Sequence, residues 1–446
     1  NKSDDDNEID ELPPEIDIQH YVQLITKFNE AVQLQDYSLI NQCSDNLIQS
    51  LINDLPYSES DPICDGVLNL LFPFFCSCMT CLQLNDEQLF LKIVIILKNF
   101  SKLTTDVPSF IIDNDMLPQL IKLFLNPELN TQILTEVFKF FGNIAIYSAD
   151  ARDIFLEHGI LPIFINIIQN ETNFQLLNST INFAHCFLRI DDYQKLISLE
   201  DFRNFLIHMS YLIGKFLNPS LIICSDEERT FSIEFILDIF NFFTSARLHP
   251  MFTDRTQTST YLLNTPILVY LSTLLVNEIP SLALSITRII LQVLIFSDQQ
   301  NAKEKSHEFD ITLFAKFCFL DSQDVSQNCL SIIERLIYLH AKNISVLNSI
   351  EFFQRLISLI NEADFDIQKR IIHVLIAAII LDQSYTLLPL LTFECVDIII
   401  DYIDVVDEYT DYKPRVLDAL KIIQTFLPQN HPQSEEIFEA LEELTM

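Results

Sequence analysis

A chain of 446 residues with 49% hydrophobic side chains has ample apolar material for a large core, yet it contains only 4 glycines. Phosphate-cradling loops and tight hairpins need glycine for positive φ and close backbone approach, so neither a dinucleotide-binding fingerprint nor a P-loop is present. Lys and Arg number 27 against 62 Asp and Glu, a formal net charge of −35, a field that keeps an apolar chain dispersed, repels nucleic acid and anionic membranes, and attracts basic partners.

The first segment, "NKSDDDNEIDELPPE", is acidic and Pro-stopped, and residues 1–17 read as a flexible arm. Position 1 is Asn, not Met, which leaves room for residues upstream. From residue 18 to 446 the chain repeats itself: an apolar amphipathic segment, a short polar break, and a second apolar segment. Examples are "MLPQLIKLFLNPELNTQILTEVFKFFGNIA" from Met116, "ILPIFINIIQNETNFQLLNSTINFAHCFLR" from Ile160 and "EFFQRLISLINEADFDIQKRIIHVLIAAI" from Glu351. Leu117, Leu120, Ile121 and Phe124 have the spacing of one helix face. The breaks "NPELN" and "NEADFD" end each period and supply Asn or Asp to cap the next helix.

Superimposing the units gives the period. Gly142–Asn143 matches His185–Cys186, Glu334 matches Ala377, and Asn99 precedes Asn143, in steps of about 43 residues. Such steps mark armadillo and HEAT arrays, and period alone does not separate the two. The step lengthens around "GKFLNPSLIICSDEER", so an insertion is expected near 203–229. A single repeat cannot bury its own helices, so neighbours must stack. The expected fold is all-α: one right-handed superhelical solenoid over 18–446, of about nine or ten repeats. The acidic amphipathic "EEIFEALEEL" near the end reads as its polar cap.

The 10 cysteines sit mostly in apolar stretches and read as small hydrophobes of a reducing, intracellular compartment, cytoplasm or nucleus. "CSCMTC" (Cys76, Cys78, Cys81) has thiol spacing a metal could use, but no second Cys/His pair follows; it reads as a buried helix start. No signal peptide is evident, and no charge-free apolar run reaches the roughly 18 residues of a membrane span. Hydrolase, zinc-protease and kinase motifs are all missing, and the carboxylates are scattered. A non-enzyme without cofactor or metal is expected.

Two stretches resemble the importin-α (karyopherin-α) family of armadillo proteins. One is "GNIAIYSADARDIFLEHGILPIFINII" from Gly142, with Gly-Asn-Ile-Ala, then Arg-Asp, then Gly-x-Leu-Pro opening the next repeat. The other is "NISVLNSIEFFQRLISLINEADFDIQKRIIHVLIAAI" from Asn343. The resemblance implies that third helices line a groove in which a Trp and an Asn, one turn apart, recur. There the indoles hold Lys and Arg stems, and the amides hold the backbone of an extended basic peptide. On this chain the Trp and Asn places fall on Ile95 and Asn99, Lys139 and Asn143, Asn182 and Cys186, Leu330 and Glu334, and His373 and Ala377. The chain has no Trp, Lys139 would repel a basic peptide, and the residues before the array are acidic where the family's arm is basic.

Each residue also has a plain structural reading. Asn143 could cap its helix after Gly142. Arg152 and Asp153 suit an inter-repeat joint, and His185 and His373 suit a packed core. Asp238 and Glu334 could take a partner's positive charge or be solvated. The groove candidates are Asn99, Lys139, Asn143, Asn182, Asp238, Glu334 and His373. The implied function is a non-enzymatic adaptor for protein cargo or a basic, extended segment, with an importin-β-like carrier and with the family's signal recognition altered or lost. The alternative is a scaffold subunit of a large assembly, for example a cytoskeletal one. Neither involves nucleic acid or membrane.

Overall fold

The computed structural model describes residues 18–53, 65–103, 106–125, 129–188, 199–244, 255–276, 280–340, 346–347, 350–360, 362–381, 396–402, 412–427 and 433–445. The fold is all-α, and no strand occurs among the described residues. The acidic segment 1–17 lies outside them. By its contacts the chain divides into two compact units, Asn1–His208 with Asn218–Ile236, and Met209–Leu217 with Leu237–Met446.

The first unit opens with two helical pairs, Ile18–Gln33 with Tyr37–Asn53 and Asp65–Leu82 with Glu87–Leu103. Two triplets follow, each of two short helices and a long one. They are Asp106–Asp113, Met116–Phe124 and Thr131–Tyr147, then Ala149–Glu157, Ile160–Asn170 and Phe174–Leu188. Capping chemistry sets the breaks. Asn130 accepts the Ile133 N–H through its side chain at 2.9 Å, which starts the long helix after "NPEL". Extended Ser148 ends that helix, and its hydroxyl caps the next by accepting from Ala151 N at 3.3 Å. Gly159, at φ 73°, turns the chain into Ile160–Asn170 in a conformation that glycine adopts without a Cβ penalty.

Packing joins the long helices side by side: Thr131–Tyr147 lies against Glu87–Leu103 and against Phe174–Leu188. Between them sits a phenylalanine core. The Phe141–Phe155 and Phe155–Phe183 ring centroids are each 4.9 Å apart, Phe164–Phe183 is 5.0 Å, and all four side chains are fully buried. Burying one such ring contributes about 1.5–3 kcal/mol, with about 0.5–1.5 kcal/mol more per well-placed aromatic pair.

The second unit repeats the short-short-long order in Arg255–Leu263, Ile267–Val276 and Pro280–Phe296, and again in Gln299–Lys305, Ile311–Phe317 and Gln323–Leu339. Ile350–Ile360, Phe365–Leu381, 396–402, Tyr412–Phe426 and Gln433–Thr445 complete it. Its long helices Pro280–Phe296, Gln323–Leu339, Phe365–Leu381 and Tyr412–Phe426 pack each against the next. In both units polar side chains reach back one repeat. Asn143 reaches Lys98, 45 residues earlier, while Asn328 meets Thr287 and Arg335 meets the Leu294 carbonyl, each 41 earlier. The period read from the sequence is thus a physical spacing between adjacent long helices.

Three local expectations change. Gly142–Asn143 does not close its helix, which continues to Tyr147 because Ile144 and Ala145 still have core to bury. "CSCMTC" lies in the C-terminal part of Asp65–Leu82, not at a helix start, because the apolar run Leu70–Phe75 before it is helical too. There Cys78 and Cys81 are buried and Cys76 is exposed, and desolvation pushes Cys78 well above the usual thiol range and Cys81 up to about 11. The stretch 203–229 is largely helical: Leu199–Phe216 fills its first part and Asp226–Thr244 begins before its end. Ser225 and Glu228 form a reciprocal capping box there, Glu228 N donating to the Ser225 hydroxyl at 3.2 Å and Ser225 N to the Glu228 carboxylate at 2.9 Å.

Two glycine substitutions separate packing from propensity. A Cβ at Gly142 would lie 3.7 Å from Phe183 Cα, an ordinary contact, so Gly142→Ala should stabilise by about 0.5–1 kcal/mol through helix propensity alone. A Cβ at Gly214 would lie 2.6 Å from Tyr270 Cζ, so the ring must swing aside, and Gly214→Ala should lower stability by about 1–3 kcal/mol. Urea midpoints of the two variants, compared with the parent chain, should move in opposite directions.

Candidate functional site

Each long helix buries most of its surface and leaves one stripe half open, and the expected site residues fall on or beside that stripe. In the first unit Asn99 is buried, Lys139 is exposed, and Asn143 and Asn182 are half-buried. In the second, Asp238 is exposed while Glu334 and His373 are buried at 7% and 1% exposure.

The Asn143 amide faces the preceding long helix. Its nitrogen donates to the Lys98 carbonyl and to the Ser101 hydroxyl, each at 3.0 Å, so both amide hydrogens are engaged. Around it the charges pair. Glu136 accepts from Lys98 at 2.5 Å on one oxygen and from Lys139 at 2.7 Å on the other. Burial raises the Glu136 pKa, but the two lysine hydrogen bonds and charges outweigh burial and hold it below the usual carboxylate range. Arg152 is fully buried.

In the second unit Glu334 and His373 come together in a polar cluster. Tyr412 donates its hydroxyl to Glu334 Oε1 at 2.5 Å, and the Arg415 guanidinium stands 3.4 Å from the same oxygen. The His373 ring stacks on Tyr412 at 3.6 Å between centroids, its Nε2 is 2.7 Å from the Tyr402 hydroxyl, and its Nδ1 is 3.8 Å from Glu334 Oε2. Arg415 lies over the Tyr338 ring at 4.3 Å. Burial drives the titrations. It raises Glu334 against the pull of Tyr412 and Arg415, and it lowers His373 to about 3 with help from Arg370, Lys369 and Arg415. His373 is therefore neutral near pH 7. The cluster joins three successive long helices and fills with the protein's own side chains the place where a partner's charge was expected. His185 is likewise packed, edge-to-face with Phe235 at 4.8 Å between ring centroids.

The open part of the stripe lies in the first unit, on Phe174–Leu188 and the start of Asp226–Thr244. Phe231 is 51% exposed and stands edge-on to Phe235, with centroids 4.6 Å apart. Phe235 in turn meets His185, one turn beyond half-buried Asn182. The Ser232 hydroxyl donates to Asn178 Oδ1 at 3.1 Å and fixes the two helices side by side. Glu227, Glu228 and Glu234 flank the rings along the helix. An aromatic face beside carboxylates suits a cationic stem, held by cation–π attraction and by charge. Sequence reading missed Phe231 and Phe235; the i, i+4 Phe pair in "FSIEFILDIFNFF", set among acids, was the available signal. Nothing in the sequence announced Tyr412 or Tyr402, which lie outside the two stretches that carry the family resemblance. Among the described residues no group of His, Cys, Asp and Glu is placed to hold a metal ion, and no single helix is long and apolar enough to cross a membrane.

Two outcomes test these assignments. Asn143→Ala should cost about 1 kcal/mol in denaturant unfolding by removing two part-buried hydrogen bonds to the preceding long helix. His373 binds its proton in the unfolded chain near pH 6.5 but in the folded protein only near about 3, so stability falls as pH drops through that window. His373→Phe keeps the stack on Tyr412 and should flatten the dependence of unfolding free energy on pH between about 6 and 4 by about 1.4 kcal/mol per pH unit. An unaltered slope would assign that proton uptake to another group.

No family model matches this chain, and no curated protein matches it. Among solved structures it is similar to the crystal structure of an engineered protein, at 12% identity and a TM-score of 0.60, over 97% of this chain and 99% of that one. That likeness concerns the fold alone.

Proposed function

We propose that the chain is a non-enzymatic protein-binding adaptor, an armadillo-type solenoid similar to importin-α, that takes a basic, extended segment of a partner protein along its long helices. The observation that carries this reading is the exposed ring of Phe231, backed by half-buried Phe235, with Glu227, Glu228 and Glu234 on the same helix. Its aromatic faces and carboxylates offer a cation both a stacking surface and a counter-charge. The amide at Asn143 is already engaged, so recognition rests on ring and charge contacts instead of an amide ladder. An importin-β-like carrier belongs to the same proposal, as does a reducing setting in cytoplasm or nucleus, which suits buried thiols such as Cys43, Cys78 and Cys329.

A second reading, a scaffold subunit of a large assembly such as a cytoskeletal one, is favoured by Glu334 and His373, whose polar groups face each other, Tyr402 and Tyr412. Fluorescence titration of a Lys/Arg-rich nuclear-localisation peptide at physiological salt separates the two. The adaptor predicts micromolar or tighter binding, weakened about tenfold by Phe231→Ala and not by Asn143→Ala, since a lost cation–π contact of about 1–2 kcal/mol is worth that factor. No binding at all, with the protein recovered from cells in a stable multi-protein assembly, would establish the scaffold.

A further inference from the structure

A protein with 62 acidic and 27 basic residues carries, in its first unit, one built patch of the opposite sign. Lys98 and Lys102 stand one turn apart on Glu87–Leu103, and Lys139 faces them from Thr131–Tyr147. The single carboxylate among them, Glu136, is shared, 2.5 Å from Lys98 on one oxygen and 2.7 Å from Lys139 on the other. Lys102 has no ion pair among the described residues. Desolvation first, and then the charges of Lys98 and Lys139, hold its ammonium below the usual lysine range. Asn143 pins the two helices in register through Lys98 O and Ser101 Oγ, so the ammonium groups are held on a rigid frame. On the same helix face beyond Lys139, Ile146 and Tyr147 are 54% and 46% exposed.

Three ammonium groups around one carboxylate repel one another, and folding alone gives no reason to collect them. An anionic ligand supplies the missing counter-charge, and the exposed Ile146 and Tyr147 supply apolar contact beside it. A nucleic acid carries dense charge along its whole length and would bring it within the roughly 8 Å screening distance of the surrounding acidic surface. A polypeptide with a few spaced carboxylates meets the patch and little else. We propose that the Lys98–Lys102–Lys139 face, with Ile146 and Tyr147, binds an acidic segment of a partner protein in which Asp or Glu alternate with apolar residues. This site is separate from the Phe231 face and does not depend on it.

The test is fluorescence anisotropy on the full chain with a labelled twelve-residue peptide of Glu and Leu, and with the same peptide carrying Gln for Glu. The acidic peptide should bind at least about tenfold more tightly at low salt and lose affinity steeply as salt rises. Lys102→Gln should weaken it about fivefold or more while leaving the melting temperature unchanged or raised, because it relieves repulsion; Lys139→Gln should weaken it similarly but lower the melting temperature slightly, because it also breaks the ion pair with Glu136. Lys102→Arg should retain binding. Equal affinity for the Glu and Gln peptides, or full affinity in the Lys102→Gln, Lys139→Gln double variant, would overturn the proposal. So would tighter binding of an RNA oligomer of equal charge. A gain of about tenfold on changing Asp4, Asp5 and Asp6 to Asn would show that the chain's own acidic segment holds the face, and would overturn a partner as its occupant.

Discussion

Everything in each unit depends on one requirement: a long helix must find the next long helix to cover its apolar side. Thr131–Tyr147 has core residues on two faces, buried by Glu87–Leu103 on one side and Phe174–Leu188 on the other, with rings of the short helices such as Phe124 and Phe155 closing the remainder. Phe138, Phe141 and Phe183 lock that contact through fixed ring geometry. In a chain without Trp, phenylalanine supplies the aromatic part of this core beside aliphatic residues such as Val137 and Ile144, and it brings no N–H that must be satisfied. The same requirement explains why Gly142 tolerates a methyl group: the approach to Phe183 is close but not at the limit of contact.

Once long helices are packed in sequence, their remaining polar groups face one another across a distance of about one repeat. This decides what becomes of the stripe. At Asn143 both amide hydrogens go to the preceding helix; at Glu334 a tyrosine hydroxyl and an arginine arrive from two repeats later. Each such bond holds the array together and removes one donor or acceptor from outside use. Packing of the long helices and the recognition proposed above would therefore draw on the same side chains; beside exposed Phe231, Ser232 is engaged by Asn178 and Glu228 by the cap.

What the sequence disclosed follows the same division. Helix class, period and breaks were legible because local rules govern them: Asn130 and Asp364 cap the helices their position indicates. The continuation of the helix past Gly142 was not, because glycine marks an end only where tertiary burial does not carry the helix through, and Ile144 and Ala145 are in the core. Site residues were legible as positions but not as roles. Glu334 and His373 stand where the repeat match put them, yet their burial comes from Tyr402 and Tyr412, which no periodicity ties to them. A long-range cover of this kind has no local sequence signal.

Charge supplies the last step. A net charge of −35 spread over a folded chain is self-repulsive, so a strongly acidic surface lowers that repulsion wherever it can place a lysine beside a carboxylate. Lys92 beside Asp45 and Lys305 beside Glu308 follow that rule. Lys98, Lys102 and Lys139 break it, since three cations gather around Glu136 while most of the chain's carboxylates stand elsewhere. In the first unit the two signs are thus kept apart, lysines gathered on Glu87–Leu103 and Thr131–Tyr147, glutamates and the open Phe231 at the start of Asp226–Thr244. Were one partner segment to meet both proposed faces, only one of its two directions would match charge at both ends.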